Sequence, residues 1–247
     1  DVLLAHGITG VRDMGGDLAI QRAMKQKVAM DPSRGPALFG AGPILDGNPP
    51  VMYDFTIPID GTSVPVEFLL DSLVEAGADF FKVYSLLQEP IVEEIAAYAK
   101  EHQLSFAGHL SEYIEPEQSI ELGQKSIEHL NRLEEIWQVD SARINRIAEL
   151  MKEKGTWLCP TLLIYEVKTR MWDSTLVQPA YEPFIHPFLQ QEWQSSRARR
   201  ISKTTPADWE NQKYLFEQQK ALVGYLHQQG VSILAGTDFA GMPYIYP

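Results

Sequence analysis

An α/β fold built on a parallel sheet is predicted by three features of this 247-residue sequence. Short apolar segments alternate with amphipathic helical ones along most of the chain, which is the pattern of βαβ units. The length matches one (β/α)₈ barrel or one large α/β domain. Several apolar segments end in a single charged or metal-capable side chain, as expected where the C-terminal ends of parallel strands meet at one mouth.

"DVLLAHG" reads as helix and "ITGVRDMGG" as a strand running into glycines. "LAIQRAMKQKVAM" follows Asp17 as a helix, and "ALFGAGPIL" is the next strand. In "VEFLLDSLVEAG" the residues Val66, Phe68, Leu69, Leu73 and Val74 are expected on one helical face, with Gly77 ending the helix. "GADFFKVYS" is a short strand whose period of two places Lys82 and Tyr84 on one face and Phe81 and Val83 on the other.

"PIVEEIAAYAKEHQ" opens with Pro90 and repeats Ile91, Ile95 and Ala99 at helical spacing. "LSFAGHL" and "SIEHL" are strands, and "DSARINRIAELMKEKG" is a helix capped by Asp140 or Ser141 and closed by Gly155. "TWLCPTLLIY" and "VSILAGTD" complete the strand series. A polar, Trp- and Gln-rich stretch from about Glu166 to Gly230 breaks the rhythm. Its last part is a crossover helix; residues 166–205 are expected to be a helical insertion over the site's mouth.

With 45% hydrophobic residues the chain can bury a core, and its formal charge of −12 argues against nucleic acid or an anionic membrane surface as a partner. Cys159 is the sole cysteine, which excludes an internal disulfide and a cysteine-based zinc site. That suits a reducing compartment without excluding export. The chain begins inside a helix and ends in a loop, so it is expected to be a piece of a longer protein, with localisation signals lying upstream. The partner these features suggest is a small-molecule substrate; homo-oligomerisation is left open.

Chemistry concentrates at four strand ends: Lys82, His109, His129 and Asp238. Singly, each has an ordinary explanation: a hydrogen-bonded strand-end histidine, a helix-capping aspartate, a lysine snorkelling to the rim. Jointly, two imidazoles and a carboxylate make a set suited to zinc or a similar divalent ion. Lys82 sits among Phe80, Phe81, Val83 and Tyr84, where an isolated charge is costly. A lysine cannot ligate while protonated, but as a carbamate formed with carbon dioxide it becomes an anionic, two-oxygen ligand. Arg12 and Asp13 suit an internal salt bridge better than a substrate carboxylate. His6, His102 and His227 suit solvated positions, His186 could reach the site from the insertion, Glu128 is structural, and "EYIEPEQSIE" is a solvated face.

Taken in order, "HGITGVRDMGG", "GPALFGAGPIL", "EAGADFFKVYS", "GHL", "SIEHL" and "LAGTDFAG" resemble the amidohydrolase superfamily, in its imidazolonepropionase-like and Xaa-Pro dipeptidase (prolidase)-like branch. The resemblance implies a distorted (β/α)₈ TIM-like barrel holding one or two divalent metals, zinc foremost. It implies that Lys82 is the carboxylated bridging lysine, that His109 and His129 ligate one metal, and that Asp238 touches the other metal and the hydrolytic water. Asp238 would then move the proton from water to the leaving nitrogen, and Tyr84 could donate to the carbonyl oxygen or pack the barrel. The family also carries a His-x-His pair on its first strand and a terminal β-sandwich. Neither occurs here, so strand 1 and the sandwich are expected to lie outside the chain.

The implied activity is metal-dependent hydrolysis of an amide or other C–N bond, with a dipeptide as first candidate. A lactonase or other ester hydrolase would show the same four residues. A Schiff-base lyase using Lys82 needs no metal, and an inactive binding scaffold would suit the absent His-x-His pair.

Overall fold

The computed structural model describes residues 2–239 and 241–246. Its elements alternate as the sequence predicts. The first half runs α1 (Val2–Ala5), β1 (Gly10–Asp13), α2 (Leu18–Met30), β2 (Ala37–Gly40), β3 (Ile44–Gly47), β4 (Thr56–Ile59), α3 (Val66–Ala76), β5 (Phe81–Val83) and α4 (Glu89–Glu101). The second half runs β6 (Phe106–Gly108), α5 (Pro116–Glu121), β7 (Ser126–Glu128), α6 (Leu133–Val139), α7 (Ser141–Lys154), β8 (Trp157–Cys159), α8 (Leu162–Thr169), α9 (Pro187–Lys203) and α10 (Pro206–Gln228).

Six strands form one parallel sheet in the order β4-β3-β5-β6-β7-β8, and β1 pairs with β2 in a second, two-stranded sheet. The Asp79 amide donates to the Gly40 carbonyl (2.9 Å), tying the end of β2 to the start of β5. From the other direction, Arg12 on β1 donates to Ser126 Oγ (2.8 Å) and Glu128 Oε1 (3.0 Å) on β7. A side chain on the first strand therefore reaches a strand at the far side of the larger sheet. Arg12 thus links the two sheets, and the internal salt bridge foreseen for it is the one to Glu128.

The helices follow local signals. Asp17 caps α2 by accepting from the Ile20 amide, Asp140 caps α7, and Thr205 with Asp208 forms a capping box at α10. Gly77 and Gly155 end α3 and α7 in the left-handed conformation. On α3 the buried residues are Val66, Leu70 and Leu73, spaced four and then three apart, whereas Phe68 is exposed. Phe68 lies two residues from Val66, about 200° round the helix, so it does not share the expected face.

Three strand expectations are corrected. "ALFGAGPIL" is two strands, β2 and β3, separated at Ala41–Pro43 where Gly42 takes a positive φ of 71°. "TWLCPTLLIY" stops as a strand at Cys159: Pro160 has no amide to donate, Thr161 turns into the left-handed region (φ 45°), and Leu162 starts α8. "VSILAGTD" retains a single parallel bridge, Leu158 to Ile233, held by bonds from the Leu158 amide to Ser232 O and from the Leu234 amide to Leu158 O.

The core has three parts. Leu45, Leu70, Leu87, Ile95 and Phe106 pack the first half, and Ile127, Leu130, Ile144, Leu158, Leu222 and Leu226 the second. Met171, Trp193, Tyr244 and Ile245 pack under α9. The long α10 lies against α8 and α6. The acidic run around Glu115 is more than a solvated face, because Glu117 and Glu115 both bind Arg143 on α7. No helix among the described residues is long and apolar enough to cross a membrane.

Candidate active site

Lys82 is 3% exposed in the middle of β5. Neighbouring Asp79 does not serve it, being paired with Lys25 (2.5 Å) and with the Gly40 amide. Among the described residues no carboxylate lies within ion-pair distance of the Lys82 ammonium, which instead stands 5.6 Å from the centre of the Tyr84 ring. Burial pulls its pKa down to about 8, against the opposing pull first of Glu128 and then of Asp238. Space for the stem depends on Gly108: a Cβ there would lie 2.1 Å from the Val83 carbonyl oxygen and 2.9 Å from Lys82 Cδ.

Glu128 is structural, as its sequence position suggests, but it also sets the local field. It is 3% exposed and accepts from Arg12 and from Ser126 Oγ (2.6 Å). Being the largest charge acting on Lys82, it is the distant acid that the lysine faces without touching.

His109 follows β6 directly and is 6% exposed. Its Nδ1 is bonded to Ser85 Oγ (2.9 Å) and Asn131 Nδ2 (3.0 Å), and its Nε2 is buried with no partner. His129, just past β7, is tied through Nδ1 to Thr161 Oγ1 (2.5 Å). The two rings meet edge to face with centroids 5.0 Å apart, and Tyr84 stacks on His109 at 3.8 Å. Burial lowers both imidazoles below their ordinary values, His129 to about 4, with the Lys82 charge adding to the effect. Both are therefore neutral at pH 7, the form in which imidazole ligates a metal.

Backbone strain gathers at the same strand ends. His129 (φ 64°), Thr161 (φ 45°) and Asp238 (φ 50°) all occupy the left-handed region, uncommon for residues with side chains. Such conformations cost of order 1–3 kcal/mol each and cluster at functional sites.

Asp238 stands at the solvent side of the site. The residue is exposed as a whole, yet protein crowds its carboxyl and raises its pKa; Glu128 reinforces the shift, while Lys82 and Lys168 oppose it. Among the described residues no three His, Cys, Asp or Glu side chains converge as a metal-holding group. The structure thus unites Lys82, His109, His129 and Tyr84, with Asp238 beside them but not closing a three-donor set. The two imidazoles fit a metal ion, on the evidence of the orphaned, buried Nε2 of His109 and the anchored Nδ1 atoms of both rings.

Other candidates fall away. Burial lifts the Cys159 thiol to about 12, leaving it inert. His186 caps α9, its Nδ1 accepting from the Phe188 amide, and His6, His102 and His227 are exposed. Ser85, Asn131 and Thr161, which hold the rings, carried no spacing signal. Small polar residues just past a strand are common, and these act only through contacts with histidines 22–32 positions away.

Neither a protein-family model nor a curated protein matches the chain. Solved structures do. Bottromycin amidohydrolase superposes with a TM-score of 0.74 at 21% identity, over 98% of this chain and 55% of its own. A prolidase complexed with N-methylphosphonate-L-proline matches with a TM-score of 0.65 at 18% identity, over 99% of this chain and 58% of its own. A Xaa-Pro dipeptidase with bound methionine gives 0.63 at 19% identity, over 98% and 58%. The chain therefore spans little more than half the length of the structures it matches. Its fold is shared with these amidohydrolase- and prolidase-type structures.

Proposed function

We propose that this chain is the catalytic part of a metal-dependent hydrolase that cleaves an amide C–N bond in a small molecule, with a dipeptide as first candidate. In this reading the two sheets are most of a distorted (β/α)₈ barrel, and residues 166–205 cover its mouth. The observation that carries the reading is the unpaired, buried Lys82 beside two neutral histidines, one with a buried Nε2 that nothing in the protein satisfies. The likeness to an amidohydrolase and two prolidase-type structures supports the reaction class.

His109 and His129 would hold the ion through Nε2, with Lys82 as its carbamate supplying the third ligand and Asp238 reaching a second ion or its water. A bound divalent ion, zinc foremost, would lower the pKa of water and polarise the scissile carbonyl.

The remaining work falls to the protein's own groups. Asp238, its carboxyl pKa raised by burial, takes a proton from the attacking water and returns it to the leaving nitrogen. Tyr84 stays protonated, because burial, then Asp238 and Asp46, raise its pKa. Its hydroxyl is therefore available to donate to the developing oxyanion. Ser85, Asn131 and Thr161 fix the imidazoles so that neither ring must reorganise.

A dipeptide panel assayed for released amino acid by the whole protein tests this. Turnover that falls at least a hundredfold in both His129→Ala and Asp238→Asn supports it. Turnover unchanged in either variant contradicts it.

A further inference from the structure

Between α8, α9 and the start of α10 lies a cavity of about 250 Å³. Lys168 lines it from α8, Arg200 and Lys203 from the last turn of α9, and Trp209 and Gln212 from the first turns of α10. Met242 and the Trp209 ring form its apolar wall. The walls are tied together, because Arg197 of α9 donates to the carbonyls of Met171 (2.8 Å) and Trp172 (3.1 Å), just past α8. The space equals about eight waters at about 30 Å³ each, so it takes a ligand of about ten non-hydrogen atoms.

The cavity is cationic in a chain whose formal charge is −12. None of Lys168, Arg200 and Lys203 has a carboxylate within ion-pair distance among the described residues. The acids near them in sequence are engaged elsewhere. Glu166 pairs with Arg170, Glu210 with Lys213 (2.7 Å), and Asp208 closes the capping box with Thr205. Lys168 is half-buried, where an unpaired ammonium is costly, and burial and then Arg200 lower its pKa. Gln212 adds an Oε1 that is buried without a partner. Three unpaired cations and one orphaned acceptor therefore line a single space.

We infer that this cavity is a binding site for a small phosphate monoester with a free hydroxyl, a ligand distinct from the substrate of the strand-end residues. The phosphate meets Lys168, Arg200 and Lys203, the hydroxyl donates to Gln212 Oε1, and the C–H face of the carbon skeleton lies on Trp209 and Met242. Charge favours phosphate over carboxylate here. A phosphate monoester carries about −1.5 to −2 at pH 7 and three strong acceptor oxygens, one for each cation. A single carboxylate would leave at least one cation unmatched. Charge-assisted bonds and a satisfied acceptor replace the unpaired groups of the free protein. The occupant bridges α8, α9 and α10, and such a site does not require the hydrolase reading.

The test uses binding, which needs no turnover. sn-Glycerol 3-phosphate is the probe, D-glycerate its carboxylate counterpart, and inorganic phosphate the anion alone. Calorimetry on the whole protein should show the ester binding at least tenfold more tightly than glycerate and at least threefold more tightly than inorganic phosphate. The Arg200→Gln/Lys203→Gln double variant, changed only at exposed positions, should bind the ester at least tenfold more weakly. Gln212→Leu should bring the ester down to the affinity of inorganic phosphate. No binding of the ester, or an affinity no better than that of glycerate or of inorganic phosphate, overturns the site. So does an ester affinity unchanged in either variant, which is also what phosphate seated on the proposed metal ions would give.

Discussion

The ring of Tyr84 lies stacked on the ring of His109, centroids 3.8 Å apart at an interplanar angle of 24°. The two residues directly follow the paired strands β5 and β6, and the stack holds His109 with its unpartnered Nε2 directed away from Ser85 and Asn131. Tyr84 packs through its ring, and its hydroxyl is the donor of the proposed mechanism.

Substitution separates them. Tyr84→Phe keeps the stack and loses the donor, so kcat is expected to fall about ten- to a thousandfold, the range for losing one oxyanion donor, with metal content unchanged. Tyr84→Ala should also lower metal content. A Phe variant with full kcat would assign Tyr84 to packing alone.

Lys82 costs stability. In the metal-free protein its pKa of about 8 lies below the ordinary 10.5. Between these values the unfolded chain binds a proton that the folded one releases, so the penalty is complete below pH 8 and lifts as pH rises to 10.5. Lys82→Met, of similar shape without the charge, should stabilise the metal-free protein at pH 7 by up to about 3 kcal/mol while abolishing activity. Urea denaturation measures this, and a destabilised Met variant would show that the ammonium is properly paired.

The histidines impose the opposite boundary on pH. His129 is depressed from 6.5 to about 4, and His109 is also depressed. The unfolded chain therefore takes up protons first as pH falls. Stability of the metal-free protein is whole above pH 6.5 and declines toward pH 4, with a slope of up to about 1.4 kcal/mol per pH unit for each histidine. His129→Gln should flatten that slope; an unchanged slope would place the titration elsewhere.

The alternation of strands and helices, the helix caps and the strand-end positions of His109 and His129 were readable from periodicity and turn residues, whereas Lys82 sits in the middle of its strand. The breaks at Gly42 and Thr161 were not. Apolar runs such as "LCPTLLIY" have no period that separates strand from buried helix, and only tertiary contacts decide. Within the site the sequence showed which residues are chemically unusual but not what holds them. Thr161 reaches His129 across 32 positions, and Arg12 reaches Glu128 across 116.

The most direct test of the central claim is the metal content of the whole protein, measured by plasma mass spectrometry in bicarbonate-supplemented buffer beside Lys82→Ala. The account predicts one to two equivalents of a divalent metal in the parent, falling sharply in the variant. No bound metal under any condition, or equal metal in both proteins, would contradict it, and Lys82 would then have to be explained as a Schiff-base former or as a structural charge facing Glu128.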